Sequence, residues 1–199
     1  MATDKDSLLH RHAPRRLHGP EEPAARRRAR DGVLRDQNCR EAASAGRRIE
    51  CSPATDVERR ELMGLMREEL AGRLDRVMSL MGVTWREFEQ LYERRGHVRT
   101  VRCDGVVAGY YWIEQRGGGL HLHAIFVLPR HRGRGIAGAA LESLEDEFRG
   151  KVDVIELGVE QDNVIAKSLY TAQGFTVEDV LPELGFEIMR KRLSDEPAA

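Results

Sequence analysis

A glycine-rich turn contains the residues of this chain best suited to bind an anion. Arg132-Gly133-Arg134-Gly135 follows an apolar stretch that ends at Leu128 and precedes residues with helical spacing. The two glycines let backbone N–H groups approach a ligand closely, and a helix N-terminus adds the positive end of its dipole. Arg132 and Arg134 add formal charge. We therefore predict a pyrophosphate site at this turn.

Two histidines in the preceding apolar stretch have the chemistry for proton transfer. His121 and His123 flank Leu122, so a strand presents both imidazoles on one face, about 7 Å apart. Neutral imidazoles exchange protons with water near pH 7. Glu156 and Glu160, on one face of a later predicted strand, are alternative bases or anchors for an ammonium group. An ordinary solvated strand face is the other interpretation of the histidine pair.

Strands and helices that alternate along the chain must position these residues. Asp104-Gly105 favours a tight hairpin turn between two of the strands, and a third antiparallel strand follows. Strands are predicted over 47–51, 97–103, 106–113, 120–128, 153–159 and 186–193. Helices are predicted from about 56, around 85–91, over 135–148 and over 164–173. This order indicates an α/β or α+β sheet covered by helices.

Two of these helices precede the second strand. Thr55 or Asp56 is a suitable N-cap for the first helix. Its apolar residues recur at helical spacing, and they are Val57, Leu62, Leu65, Met66 and Leu70. The apolar residues of the second helix are Trp85, Phe88 and Leu91.

The composition excludes several protein classes. Of the 199 residues, 41% are hydrophobic and 33% charged, and no apolar run approaches the roughly 18 residues of a membrane span. The three cysteines form no CxxC pair, which excludes a disulfide framework and a cysteine-rich zinc site. We expect no metal, no membrane contact and a reducing, cytoplasmic location.

Charge divides the chain into a basic tail and an acidic body. Residues 1–48 carry twelve basic and seven acidic residues, whereas the rest carries 20 basic and 26 acidic residues. We expect a disordered, Arg-rich extension over 1–46, one domain over 47–193 and a disordered tail over 194–199. A nucleic-acid-binding arm is the alternative for the extension. Its arginines lack interleaved aromatic residues, so we do not expect nucleic acid as a partner.

Two motifs in order resemble the GNAT superfamily of N-acetyltransferases. The pattern V-x-P-x-x-R-x-x-G-x-A, at Val127, Pro129, Arg132, Gly135 and Ala137, resembles the acetyl-CoA motif of that superfamily. Downstream, a second pattern resembles its strand-helix signature, at Leu157, Val159, Asn163, Ala166, Leu169, Tyr170, Gly174 and Phe175. The resemblance covers residues 49–193.

The resemblance implies a particular fold for the body of the chain. It predicts an α/β (α+β) domain with a mixed, mostly antiparallel central sheet of six to seven strands and helices on both faces. The fourth and fifth strands would splay apart, so that the pantetheine of acetyl-CoA lies between them like a strand. Dimers through the last strands are common in this superfamily, which makes a homodimer one alternative for this chain.

The resemblance also implies roles for individual residues. Val127, where the superfamily has a β-bulge, would use its N–H to polarise the thioester carbonyl. Tyr170 would be the general acid to the leaving thiolate, unless it is a helix tyrosine packed on the sheet. Asn163 would contact the cofactor near the opening. Together the implied contacts to acetyl-CoA are Phe126, Val127, Leu128, Arg132, Gly133, Arg134, Gly135, Ile136, Ala137, Asn163 and Tyr170.

The catalytic base is less clearly indicated. His121 and His123, four residues before Val127, resemble the histidine pair of the arylalkylamine N-acetyltransferases. The N-terminal acetyltransferases of ribosomal proteins carry a glutamate where this chain has Gly158. This departure puts that subclass and its base in doubt.

The leading prediction is direct transfer of the acetyl group of acetyl-CoA to a primary amine of a small molecule or peptide. None of the cysteines lies in a nucleophile motif, so no acyl-enzyme is expected. The alternatives are a non-catalytic acyl-CoA sensor and a protein N-terminal or lysine acetyltransferase. Loops around 70–96 and 178–186 would select the acceptor. Four aromatic residues are either core or the lining of an amine groove: Trp85, Tyr110, Tyr111 and Trp112.

Overall fold

A seven-stranded sheet with helices on both faces accounts for residues 47–193, the part of the chain that the computed structural model describes. The predicted tails, 1–46 and 194–199, lie outside the described residues. The strands are β1 (Ile49–Pro53), β2 (His97–Cys103), β3 (Val106–Arg116), β4 (Gly119–Val127), β5 (Val154–Glu160), β6 (Thr176–Leu181) and β7 (Phe186–Arg192). The helices are α1 (Asp56–Met81), α2 (Trp85–Arg94), α3 (Ile136–Phe148) and α4 (Val164–Ala172), with a short 3-10 turn at Pro129–His131.

The sheet opens between its two parallel strands. Its order is β1-β2-β3-β4-β5-β7-β6, and all neighbours are antiparallel except β4 and β5. Pairing between β4 and β5 stops at Leu122 and Leu157, although the strands continue to Val127 and Glu160. The unpaired ends form a splay that leaves backbone groups of both strands available. The predicted mixed sheet and its splay are confirmed.

Each face of the sheet has its own apolar core. Tyr111 belongs to the cluster that includes residues of α3 and α4. Tyr110 and Trp112 belong to the opposite cluster, which includes residues of α1 and α2. This division follows from the alternation of side chains along β3, and it places α1 and α2 on the same face as His123, whose ring stacks on Trp112.

Local sequence signals fix the start of α1 and α2. Thr55 forms a capping box with Glu58, and Thr84 forms the same motif with Glu87. Each box satisfies backbone N–H groups that the first helical turn leaves without partners. The hairpin prediction is also confirmed, because Asp104 and Gly105 take φ angles of 52° and 80°.

Two residues assigned to apolar helix faces are solvent-exposed instead. Val57 is 65% exposed, whereas Leu62 is buried, because five residues correspond to about 140° around a helix. In α2 the buried residue is Tyr92, and Leu91 is 37% exposed. The hydrophobic pattern predicted Leu91 as the core residue, whereas the structure buries the neighbouring Tyr92.

The segments predicted as acceptor-selecting loops are mostly regular structure. Helix α1 continues to Met81 and ends at Gly82 in the left-handed conformation, with α2 close behind. Strand β6 occupies much of 178–186, which leaves a four-residue turn, 182–185, before β7. The second half of α1 has apolar residues at helical spacing, Leu74, Val77, Met78 and Met81, and this signal was missed, whereas β6 alternates poorly. Within residues 47–193, no helix combines the length and apolarity needed to cross a membrane.

Candidate active site

The glycine-rich turn presents a set of unpaired backbone donors. Gly133 and Gly135 have φ angles of 71° and 75°, and Gly135 caps α3. The first amide after the turn that donates to a backbone carbonyl is that of Ala139, to Gly135 at 3.1 Å. Within residues 47–193, the amides of 133–138 have no backbone acceptor. No atom lies within 4 Å of a Cβ position built on either glycine, so this array of donors opens to solvent.

The surroundings of the turn are cationic. Arg130 Nε lies 3.1 Å from His131 Nε2. The pKa of His131 is lowered by desolvation and by the charges of Arg130 and Arg134. Arg130 and Arg134 therefore bring positive charge close to the turn. This charge favours an anion at the turn, as the sequence predicts.

Arg132, by contrast, points its guanidinium away from the turn. Its Nε donates to the carbonyl of Val127 at 2.9 Å, and its Nη2 lies 2.6 Å from the Glu69 carboxylate of α1. The group also lies over the Phe126 ring, 5.4 Å from the ring centre. The Arg132 side chain therefore lies beside the end of β4, and the backbone N–H of Arg132 donates to the Pro129 carbonyl at 3.2 Å.

Val127 directs its backbone polar groups away from β3. Leu128 N–H donates to Ala108 of β3 at 2.9 Å, and in an antiparallel ladder successive residues point to opposite sides. The bond from Arg132 to the Val127 carbonyl agrees with this orientation. Because β5 no longer pairs with β4 here, the Val127 N–H faces the splay.

The β-bulge predicted at Val127 lies elsewhere. Val127 opposes Gly109 in regular register, and the extra residue of β4 relative to β3 is His123, between the pairs Ile113–Leu122 and Trp112–Ala124. The shift occurs immediately after the last residue of β4 that pairs with β5. A bulge bends and twists its strand, so its position at His123 coincides with the start of the splay.

Helix α4 carries the two remaining residues of the predicted cofactor site. Tyr170 is 7% exposed and packs against Phe175, with 5.9 Å between ring centres. Burial raises the pKa of Tyr170 to about 12, so the phenol stays protonated at neutral pH. Asn163 caps the helix, because its side-chain oxygen accepts from the Ala166 N–H at 3.1 Å.

The two histidines of β4 lie on one face, and each bonds to a carboxylate. His121 Nδ1 lies 3.2 Å from Glu156 Oε1, and His123 Nε2 lies 3.0 Å from Glu114 Oε2. Ionised carboxylates only accept hydrogen bonds, so these ring nitrogens carry the protons. In a neutral imidazole the opposite nitrogen, His121 Nε2 or His123 Nδ1, has a lone pair. The ring centres are 4.5 Å apart.

The charges around these imidazoles separate the roles of the candidate bases. Burial, and the charge of His121 next, lower the pKa of His123 to about 4, so His123 is neutral at pH 7. The hydrogen bond from His121, with help from Arg190 at 2.6 Å, lowers the pKa of Glu156 to about 2. A carboxylate this acidic holds a proton poorly. Glu156 is therefore ionised at neutral pH and accepts hydrogen bonds from His121 and Arg190.

Of the four aromatic residues predicted as groove or core, three are buried core residues and Trp85 is partly exposed. Tyr110 and Tyr111 are fully buried core residues. Trp112 is also buried, but its indole stacks on His123 with 4.0 Å between ring centres. Trp85 donates from Nε1 to Asp75 of α1 at 2.6 Å. Only Trp112 contacts the histidine pair.

Sequence reasoning missed three charged residues of this region. Arg190 pairs directly with Glu156 across β5 and β7, Glu114 holds His123, and Glu69 holds Arg132. All three depend on strand register or helix placement. Complementary charge was the available sequence signal. With 32 basic and 33 acidic residues in the chain, that signal could not identify these particular pairs. Within residues 47–193, no three His, Cys, Asp or Glu side chains converge as metal ligands would.

Sequence comparisons find two curated relatives with partial overlap. The L-methionine sulfoximine/L-methionine sulfone acetyltransferase of Salmonella typhimurium is 36% identical over 70 residues, which are 34% of this chain and 40% of the relative. The mycothiol acetyltransferase of Clavibacter michiganensis is 33% identical over 74 residues, which are 37% of this chain and 24% of the relative. The matched part of the chain thus spans less than half of either relative.

Comparison with solved structures supports the fold. The PaiA N-acetyltransferase of Thermoplasma acidophilum, solved in complex with coenzyme A, superimposes with a TM-score of 0.54 at 16% identity. The match covers 73% of this chain and 99% of that one. The model of the Acetyltransferase (GNAT) family matches residues 63–175, more than half of the chain. With its two motifs, its splayed sheet and this match, the chain belongs to the GNAT family of acetyltransferases.

Proposed function

We propose that this protein transfers the acetyl group of acetyl-CoA directly to a primary amine of a small molecule. The observation that carries the proposal is the splay between β4 and β5. The Val127 N–H faces this splay, and the unpaired amides of 133–138 lie just beyond the end of β4. The Val127 N–H suits a thioester carbonyl, and the amides of 133–138 suit a pyrophosphate.

The residues present fit acetyl-CoA along its length. The amides of the turn and the first turn of α3 would hold the pyrophosphate, in a cationic setting made by Arg130 and Arg134. The pantetheine would lie along β4 from Phe126 to Leu128. In this stretch the Val127 carbonyl accepts a hydrogen bond from the Arg132 side chain. The bound coenzyme A of the Thermoplasma relative supports this assignment. Acetyl-CoA would supply the activated acetyl group as a thioester.

The side chains around the splay would move the protons. An amine nucleophile arrives as an ammonium and must lose a proton before it attacks. His121 Nε2 would accept that proton, because Glu156 fixes the other ring nitrogen as the donor. Neutral His123 would relay protons between His121 and water. Tyr170 would donate its phenolic proton to the departing sulfur.

The transfer balances without a covalent enzyme intermediate. The amine nitrogen forms a bond to the acetyl carbon, the carbon–sulfur bond breaks, and the Val127 N–H stabilises negative charge on the carbonyl oxygen. The nitrogen loses two protons: the ammonium gives one to His121 before attack, and the tetrahedral adduct gives the second, which replaces the proton that Tyr170 passes to sulfur. A small-molecule acceptor is supported by the Salmonella relative, which is named for two amino-acid analogues.

Incubation of the full chain with acetyl-CoA and a panel of primary amines tests the proposal. We expect thiol release that requires one class of amine, together with the acetylated amine by mass spectrometry. Replacement of His121 with Gln should slow that release without a change in acetyl-CoA affinity. Tight CoA binding with no transfer to any amine would favour the non-catalytic sensor. Labelled acetyl bound covalently to the protein after gel filtration would contradict direct transfer.

A further inference from the structure

A cavity of about 300 Å³ lies between α1, the end of β5 and the turn before β7. Arg76 and Val77 line it from α1, Glu160 and Asp162 from the end of β5, and Phe186 from β7. This volume is at the lower end of the range for small-molecule sites. The cavity therefore suits a compact ligand better than a folded partner.

Helix α1 brings this cavity to the mouth of the splay. Glu69 on α1 bonds to Arg132, whose guanidinium also contacts the Val127 carbonyl on the β4 side. Arg76, two turns or about 10 Å further along the helix, lines the cavity on the β5 side. Because β4 and β5 are parallel, their carboxyl ends lie at the same edge of the sheet. The cavity is thus across the splay from Val127.

Gly158 lies on the same face of β5 as Glu160, which lines the cavity. It is solvent-exposed in the middle of the sheet. A Cβ built on it would lie 3.5 Å from Phe186 Cδ1 and 3.9 Å from Ile188 Cδ1. Glycine at this position therefore leaves an apolar shelf formed by Phe186 and Ile188. A larger side chain would fill the shelf without a backbone clash.

The cavity carries charges of both signs. Glu160 and Asp162 supply negative charge beside the apolar Phe186, and Arg76 supplies positive charge from the opposite wall. Among the described side chains of residues 47–193, none forms a hydrogen bond or ion pair with Arg76. A polyamine would favour acidic groups alone, whereas a guanidinium opposite two carboxylates matches a zwitterion.

We infer that the acceptor is a zwitterionic α-amino acid with an apolar side chain, an inference that rests on the proposed function. Its carboxylate would bind Arg76, and its ammonium would lie toward the carboxylates and the splay. Its side chain would pack on Phe186 over Gly158. Gly158 and Arg76 would then determine specificity, Gly158 by the space it leaves and Arg76 by its charge.

Matched acceptor pairs test the carboxylate contact. L-Phenylalanine and 2-phenylethylamine differ only in the carboxylate, as do L-leucine and 3-methylbutylamine. We expect kcat/KM for each amino acid to exceed that of its amine by about tenfold or more. Arg76→Gln should remove this preference by raising KM for the amino acids. Arg60→Gln, on an exposed arginine of the same helix, is the control and should preserve the preference.

A second variant tests the shelf. Gly158→Val should raise KM for L-phenylalanine several-fold more than KM for glycine, with the KM for acetyl-CoA unchanged. Valine is well tolerated in a strand, so loss of fold is not the expected result. Equal effects on both amino acids would contradict the shelf.

A binding measurement separates the inference from the proposed function. Calorimetric titration of the CoA complex with L-phenylalanine reports acceptor binding without transfer. Binding that Arg76→Gln abolishes, without acetylation of any amine, would overturn the proposed function and support the zwitterion site. Transfer to 2-phenylethylamine as fast as to L-phenylalanine, unchanged in Arg76→Gln, would overturn the inference and keep the function. Neither binding nor transfer would overturn both.

Discussion

The two sides of the splay are built in different ways. The β4 side presents mainly backbone groups, the Val127 N–H and the amides of 133–138. The other side, the face on which β4, β5 and β7 pair before the splay, presents side chains, including His121, Glu156 and Arg190. The backbone side is the proposed site for acetyl-CoA, which acetyltransferases share. The side-chain side is the proposed site for the acceptor, which differs among them. A backbone site tolerates much sequence change, whereas a side-chain site changes with single substitutions.

The largest expected effect tests the proposed general acid. Tyr170→Phe removes the phenolic proton but keeps the ring that packs on Phe175. We expect kcat to fall by about a thousandfold, with acetyl-CoA affinity unchanged. Steady-state kinetics and calorimetry measure the two quantities. Tyr92→Phe, which removes a buried hydroxyl bonded to Arg59, is the control and should keep kcat.

The second prediction tests the backbone side. Gly135→Val places a β-branched residue at a φ of 75° and disturbs the amides of the turn. We expect the Kd for acetyl-CoA to rise by about 100-fold, since several charge-assisted hydrogen bonds lose their geometry. Gly105→Val, in the hairpin turn at a φ of 80°, introduces similar strain elsewhere. If both variants bound acetyl-CoA equally, the turn would not be the anion site.

The third prediction concerns the proton-transfer face and stability. The pKa of His123 is about 4 in the folded chain, against 6.5 ordinarily. The unfolded chain therefore binds more protons between these values, so stability present above pH 6.5 is lost as the pH falls toward 4. Between pH 7 and pH 5 the wild type should lose about 2 kcal/mol more than His123→Gln. Urea unfolding at the two pH values measures this difference.

A matched histidine provides the control for that measurement. His97 is exposed at the start of β2, so His97→Gln should leave the pH dependence of the wild type unchanged. An equal loss in the wild type and in His123→Gln would show that the buried imidazole is not the source.

The smallest expected effect concerns the link between α1 and β4. Glu69→Gln weakens the partly exposed ion pair with Arg132. Exposed pairs contribute about 1 kcal/mol or less, so stability and acetyl-CoA affinity should change little. A tenfold change in affinity would show that α1 takes part in cofactor binding, and it would weaken the contrast between the two sides.

The backbone side is the part that sequence reasoning predicted best. Gly133, Gly135 and the helix that follows have local sequence signals, and the splay followed from a family resemblance over two motifs. The face with His121 and His123 was also predicted, because alternation along a strand is local. The side-chain contact of Arg132 was not predicted, since its partner Glu69 is 63 residues away.

The remaining features depended on register and long-range packing. The bulge at His123, in place of Val127, reflects how β4 fits β3, which no local pattern encodes. The pairing of Glu156 with Arg190 requires the β5–β7 register. The acceptor side therefore required the structure.

Nuclear magnetic resonance of the Val127 amide tests the central claim most directly. In the ¹⁵N-labelled full chain, CoA should shift the amide signals of 133–138. Acetyl-CoA should shift these signals and also move the Val127 amide proton downfield, because only the acetylated cofactor brings a carbonyl oxygen to that N–H. A Val127 signal that responds identically to both cofactors, or to neither, would contradict the account.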